Sequence, residues 1–263
     1  MIRALNTAAS GMTAQQLNLD SIAHNLANAS TAGFKERKAQ FQDLIYQNMI
    51  QPGASAGQQT TTPVGLQIGL GTRTVSNEII FSQGNITQTD NNLDLAIQGK
   101  GFFQIRRATG ELAYTRAGSF QLDRNGVMVT AEGDPLEPQI TIPANAQSVS
   151  IAQDGTVSYT MPGQNAAQRA GQIQLANFQN PAGLNSLGNS LFTPTDASGD
   201  AQVGTPGGAE GLGTVLQGYT EQSNVNVVEE FVNMIQSQRA YEANSRVIKA
   251  ADEMYQQINQ VTQ

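Results

Sequence analysis

The chain has 263 residues, of which 39% are hydrophobic and 13% charged, with net charge -7, 26 glycines, 9 prolines and no cysteine or tryptophan. The acidic balance argues against a nucleic-acid partner, since phosphates need a basic surface. Without cysteine there are no disulfides or thiolate sites, and no stretch approaches the roughly 18 apolar residues of a membrane span.

The chain opens on a helical pattern. Ile2, Leu5, Ala9, Met12, Gln16, Leu19, Ala23 and Leu26 alternate in steps of three and four, and Ile22 and Ala29 widen the stripe. Such spacing marks a seam for a partner helix. Up to Ala29 the only formally charged side chains are Arg3 and Asp20, so the helix is expected to be covered on more than one side. Gly33 is placed to end it as a C-cap. The start lacks the basic and apolar regions of a signal peptide.

Lys35, Arg37 and Lys38 form the densest basic cluster. Phe41, Leu44, Ile45 and Met49 predict a short helix over Gln40 to Ile50, stopped at Pro52-Gly53. Gln51 to Gly71 is rich in Gly, Ala, Gln and Thr and too poor in apolar side chains to build a core. It reads as a loop, or as a segment ordered only against neighbouring subunits.

From about Thr72 to Leu216 the period is two. Asn125-Gly126 and Asp154-Gly155 sit between short apolar runs, which is a strong hairpin signal. Further strands are expected at Leu93–Ile97, Phe102–Ile105, Leu112–Thr115 and Ile173–Phe178. Thr195 to Gly213 is again turn-like.

From Val225 to the end there is no Gly or Pro. Val227, Phe231, Met234, Tyr241, Ile248, Tyr255 and Ile258 mark one face of a long amphipathic helix. Asn226 reads as its N-cap, with Glu229 completing a capping box. These patterns define an α+β chain: long N- and C-terminal α-helices pair in a coiled-coil-like layer, with an all-β central domain between them. The expected divisions are 1–33 for the first helix, 34–71 for a linker or insert, 72–216 for the β domain and 217–263 for the last helix. The seams fit packing between subunits, or a helix pair closed within one chain.

Catalytic, cofactor and metal sites are not expected. His24 stands alone, and the run from Asp90 resembles a calcium loop but carries Leu95 where Gly is required and Gly101 where Glu belongs. The Gly-rich stretches lack phosphate-cradling spacing, and no Ser sits in a nucleophile elbow.

Two terminal segments carry a resemblance. Leu26-Ala27-Asn28-Ala29-Ser30-Thr31-Ala32-Gly33-Phe34-Lys35 resembles the N-terminal signature of bacterial flagellar rod and hook proteins, with Asn28, Thr31, Gly33, Phe34 and Lys35 as its marked positions. The segment from Asn224 to Asn244, with Asn226, Arg239 and Tyr241, is similar to their C-terminal signature. Gly99–Phe103 and Tyr114–Phe120 match the β domain of that family, and Gln51-Pro52-Gly53 and Pro63–Gly69 resemble its distal-rod members. The resemblance covers essentially the whole chain. It implies a non-enzymatic structural subunit of a helical homopolymer, its inner layers built from the terminal helices. The seam residues Ile2, Leu5, Met12, Leu19, Ile22 and Leu26, with those of the last helix, would then form the subunit interface. Proximal-rod and hook proteins and outer ring proteins are the implied partners. The place implied is the periplasm-spanning rod, reached by the flagellum's own export channel without a cleaved signal peptide. A proximal-rod or hook subunit is the near alternative. A periplasmic glycan-cleaving enzyme is a distant one, needing two carboxylates across a cleft.

Overall fold

The computed structural model describes residues 2–51, 64–163, 166–208 and 211–261, the side chains of residues 2, 259 and 261 excepted. Most of the Gln51 to Gly71 stretch thus lies outside the described residues. The chain forms two compact units. One comprises Met1–Leu26, Arg37–Glu78 and Asn226–Gln263, and the other Ala27–Glu36 and Ile79–Val225. No helix among the described residues is long and apolar enough to cross a membrane.

The first unit holds helices α1 (Ile2–Ala27) and α2 (Val227–Val261) and strands β1 (Arg37–Asp43), β2 (Tyr46–Ile50), β3 (Leu66–Gly69) and most of β4 (Thr72–Ile79). α2 is 35 residues long, about 50 Å at the α-helical rise. The side-chain oxygen of Asn226 accepts the Val228 N–H at 3.2 Å, and its carbonyl accepts the Glu230 N–H at 2.9 Å. Asn226 is therefore the N-cap, and Glu229 and Glu230 in the first turn suit the helix dipole. Replacing Asn226 with Ala should cost about 1 kcal/mol. The expected reading is about fivefold faster amide exchange at Val228, with the rate at Ser245 unchanged.

The face that α1 buries is not the one its large apolar residues mark. Ala8, Ala14, Ser21, Ile22 and Asn25 are buried. Leu5, Met12, Leu19 and Leu26 are half-buried at the flank, and Ala9, Gln16 and Ala23 are exposed. Small residues let the helices approach closely. The Asn18 amide donates to the Ser237 hydroxyl at 2.7 Å. One heptad away on each helix, a Cβ at Gly11 would sit 2.9 Å from the Asn244 amide nitrogen. Position numbers fall on α1 as they rise on α2, so the helices run antiparallel through these contacts.

The helix expected over Gln40 to Ile50 is instead two strands. β1 pairs with β4, helped by the Leu44 N–H donating to the Gly71 carbonyl at 2.8 Å and the Thr72 hydroxyl to the Gln42 carbonyl at 3.0 Å. β2 pairs antiparallel with β3, Tyr46 opposite Gly69. Cross-strand hydrogen bonding overrode the local helical spacing. The Asn25 side chain also clamps the start of β1, donating to the Arg37 carbonyl at 2.8 Å and accepting its N–H at 2.9 Å.

The second unit is β-rich, as its period of two predicts. Its strands are β5 (Ile86–Gln88), β6 (Leu95–Gln98), β7 (Phe102–Arg106), β8 (Leu112–Thr115), β9 (Gln121–Leu122), β10 (Met128–Val129), β11 (Leu136–Glu137), β12 (Ser148–Ile151), β13 (Thr156–Thr160), β14 (Gln168–Gln172), β15 (Leu175–Asn177), β16 (Asn185–Gly188), β17 (Leu191–Thr193), β18 (Gln202–Gly204), β19 (Thr214–Gln217) and β20 (Tyr219–Glu221). The main sheet runs β16-β17-β8-β7-β15-β18, with β11 also on β7. Alternation along β7 sends Phe103 and Ile105 into a core with Leu95, Phe120, Ile140 and Leu175. Phe102 goes to the other face with Tyr114, Phe178 and Phe192. Each fully buried side chain of this kind contributes about 1.5–3 kcal/mol. Both expected tight turns form: Gly126 and Gly155 take positive φ, and the Asp154 carboxylate accepts the Thr156 N–H at 2.9 Å.

Candidate assembly surfaces and a buried ion cluster

The N-terminal signature does not end α1 with a glycine cap. α1 stops at Ala27, and the segment to Gly33 is a chain of turns in which the Thr31 N–H donates to the Asn28 carbonyl at 3.1 Å. Thr31 is exposed, and Asn28 and Phe34 are half-buried. Gly33 has φ +69, and a Cβ there would stand 2.5 Å from the Ala117 nitrogen. Its glycine is required by this close approach as well as by its backbone conformation.

Lys35, two residues on, enters the second unit's interior. Its ammonium donates to Glu221 Oε1 at 2.5 Å and to the Ser82 carbonyl at 2.8 Å. Arg116 Nε and Nη2 each reach Glu221 Oε2 at 2.9 Å. Arg116 Nη1 donates to the carbonyls of Gly99 at 2.9 Å and Gly101 at 2.7 Å. The Gly84 N–H donates to Glu221 Oε1 at 2.9 Å. The side chains of Lys35 and Glu221 are 1% and 0% exposed, and that of Arg116 is 6% exposed. Burial pushes the Lys35 pKa below its ordinary value, the Glu221 charge opposes this, and the Arg116 charge adds to it. A buried pair that loses one partner typically costs about 3–5 kcal/mol, so this cluster is a strong structural constraint.

α2 carries exposed apolar surface. Val227, Val228, Phe231, Val232 and Ile235 are exposed, Val228 at 72%. Tyr241 and Ile258 are exposed further along, as is Arg239, whereas Met234, Ile248 and Tyr255 are half-buried on the side of Ser237 and Ala251. The side chain of Ile2 lies outside the described residues. The structure thus divides the expected seam: Ile22 is buried, Met234 and Ile248 are half-buried, and Val227 and Phe231 are exposed. β2 adds Ile45 beside it at 83% exposure and Met49 and Ile50 within it.

The sequence reading missed the buried polar contacts. Asn18, Ser21, Asn25 and Ser237 interrupt an apolar pattern and were legible only as weak spots in it. Glu221 had no signal, since a lone carboxylate in a polar strand usually faces water. Among the described residues no group of His, Asp and Glu could hold a metal ion.

Comparison with known proteins returns three family matches along the chain. Residues 5–35 match the flagella basal body rod protein model, residues 96–159 the flagellar hook protein FlgE/F/G D1 domain, and residues 216–261 the flagellar basal body rod FlgEFG protein C-terminal model. The flagellar basal-body rod protein FlgG of Buchnera aphidicola subsp. Schizaphis graminum is 51% identical, the match covering 99% of this chain and all of that one. FlgG of Caulobacter vibrioides is 48% identical over 99% of both chains. FlgG of Bacillus subtilis is 38% identical over 98% of both. With full-length identity of this order, matched at both termini and in the β-rich centre, the chain belongs to the flagellar basal-body rod protein family.

Proposed function

We propose that the chain is a structural subunit of the distal rod of the flagellum, polymerising into a stiff tube that transmits torque across the periplasm to the hook. The observation that carries the assembly reading is the exposed stripe Val227, Val228, Phe231, Val232 and Ile235 at the start of α2. Contiguous apolar surface of this kind marks an interaction site. A second copy is the natural partner, because relatives that match over their whole length are named rod proteins. In this reading the coiled-coil-like layer forms between as well as within subunits. Leu5, Met12, Leu19, Leu26, Val227, Phe231, Tyr241 and Ile258 contribute its contacts between copies, while Ile22, Met234, Ile248 and Tyr255 hold the helices within one. The family-signature residues Thr31 and Arg239 are exposed. The subunit reaches its site by the flagellar export route, and its further partners are proximal-rod, hook and outer ring proteins. Raising the concentration of purified protein should yield tubes visible by electron microscopy; a monomer at every concentration would remove the reading.

The β2–β3 pair and residues 52–63 between them are proposed to stiffen the tube by bridging subunits. The support is the exposure of Ile45, Tyr46, Met49 and Leu66 at the two ends of that stretch. Deleting residues 52–63 should leave the thermal unfolding of the second unit unchanged and give curved tubes. Straight tubes of ordinary persistence would exclude the bridging role.

A further inference from the structure

Lys35, Arg116 and Glu221 lie one in each of the three family-matched segments. Glu221 is 186 residues from Lys35 and 105 from Arg116 in sequence. Yet Glu221 makes most of the cluster's contacts. Its two carboxylate oxygens take both cations and the Gly84 N–H, and its backbone carbonyl takes the Gly33 N–H at 2.8 Å. Just beyond it, the Asn224 side chain accepts the Glu36 N–H at 2.7 Å and donates to the Ile80 carbonyl at 2.9 Å. The Ile80 N–H in turn donates to the Glu36 carbonyl at 2.8 Å. Residues 33–36 are therefore stitched to the β-rich unit at a place where the last strand of that unit, β20, must already be present.

We propose that this cluster is a charge-coded latch: it fastens residues 33–36 to the β-rich unit only once Glu221 is in place to neutralise the two cations that closing the latch buries. Lys35 and Arg116 carry like charge, and Glu221 is the acidic partner of each in its described ion pairs. Without that carboxylate, closing the latch would bury two cations facing each other, which is strongly unfavourable. With it, the site holds two cations and one anion, and backbone carbonyls of Ser82, Gly99 and Gly101 accept further hydrogen bonds from the two cations. The N-terminal segment thus stays unfastened until the chain is complete through β20. The inference concerns folding of one chain and does not depend on the assembly reading.

The charge count gives an asymmetric signature. Three variants of the full-length chain, Glu221→Gln, Lys35→Met and the double substitution, are compared by amide exchange at Gly33 and Ile80. Glu221→Gln leaves both cations unneutralised and is expected to speed exchange about a hundredfold. Lys35→Met removes one of two cations and keeps the Arg116–Glu221 pair, so about tenfold or less is expected. The double variant should exchange more slowly than Glu221→Gln alone, because one unpaired cation has gone. A role in packing alone would leave the double variant exchanging at least as fast as Glu221→Gln, since it loses a second buried side chain. Should Glu221→Gln fail to fold, the double variant is expected to recover the folded β-sheet signal. A double variant that exchanges as fast as Glu221→Gln or faster, or that is equally unfolded, overturns the proposal.

Discussion

Replacing Val228, Phe231 and Ile235 together with Asp is expected to abolish polymerisation and leave the monomer's stability intact. The three side chains are 72%, 48% and 51% exposed and lie on the side of α2 away from Ser237. In the free monomer the new carboxylates would face water, where surface substitutions stay within about 0.5 kcal/mol. Asp at position 228 sits in the first helical turn, where the dipole favours it. In an interface each site would lose about 1.5–3 kcal/mol of apolar burial and gain a desolvated, unpartnered carboxylate costing several kcal/mol more. Summed at one contact, the loss exceeds about 5 kcal/mol, more than a thousandfold in affinity. Sedimentation should show monomer at concentrations where the wild-type chain forms tubes, with an unchanged melting midpoint. The same substitution at Met234 or Ile248 is a poorer probe, since both are half-buried toward the unit's own interior. A lower midpoint for the triple variant would place this face in the monomer's core.

Gly118→Ala is expected to be the most damaging small change in the β-rich unit. The chain at Gly118 lies directly against the backbone of Leu95, whose N–H donates to the Gly118 carbonyl at 2.9 Å. An added Cβ would overlap the Leu95 carbonyl oxygen, stand 2.7 Å from its carbon and press on the Phe103 ring at 3.2 Å. Leu95 and Phe103 are both fully buried, so neither can yield without moving the core. Overpacking of this kind costs about 3–5 kcal/mol at its upper end. The melting midpoint should fall by roughly 6–20 °C. Thermal circular dichroism reads this directly, and a shift under about 2 °C would mean that the segment at Gly118 can move freely away from β6.

Which features were legible in the sequence follows from their range. The hairpins at Asn125-Gly126 and Asp154-Gly155 depend on neighbours within a few residues, and both form as the residues predict. The Asn226 cap is equally local. The existence of both terminal helices was legible from period, but the buried face of α1 was not. Periodicity points to the largest apolar side chains, Leu5, Met12 and Leu19, whereas helices in close contact bury small ones, here Ala8 and Ala14. The segment from Gln40 to Ile50 failed as a helix because the partners of its strands lie late in the low-complexity stretch, at Leu66–Gly69, and just beyond it, at Thr72–Ile79. Lys35 carried a family resemblance but no visible reason. The reason is Glu221, far along the chain, and a single carboxylate gives no sequence signal of what it will meet.

The most direct measurement of the assembly claim is a helical reconstruction of the polymer at side-chain resolution. Density from a neighbouring copy is expected to cover Val228, Phe231 and Ile235, with Leu5, Met12 and Leu19 at contacts between subunits. A polymer in which those side chains face solvent while the β-rich units alone touch would contradict it.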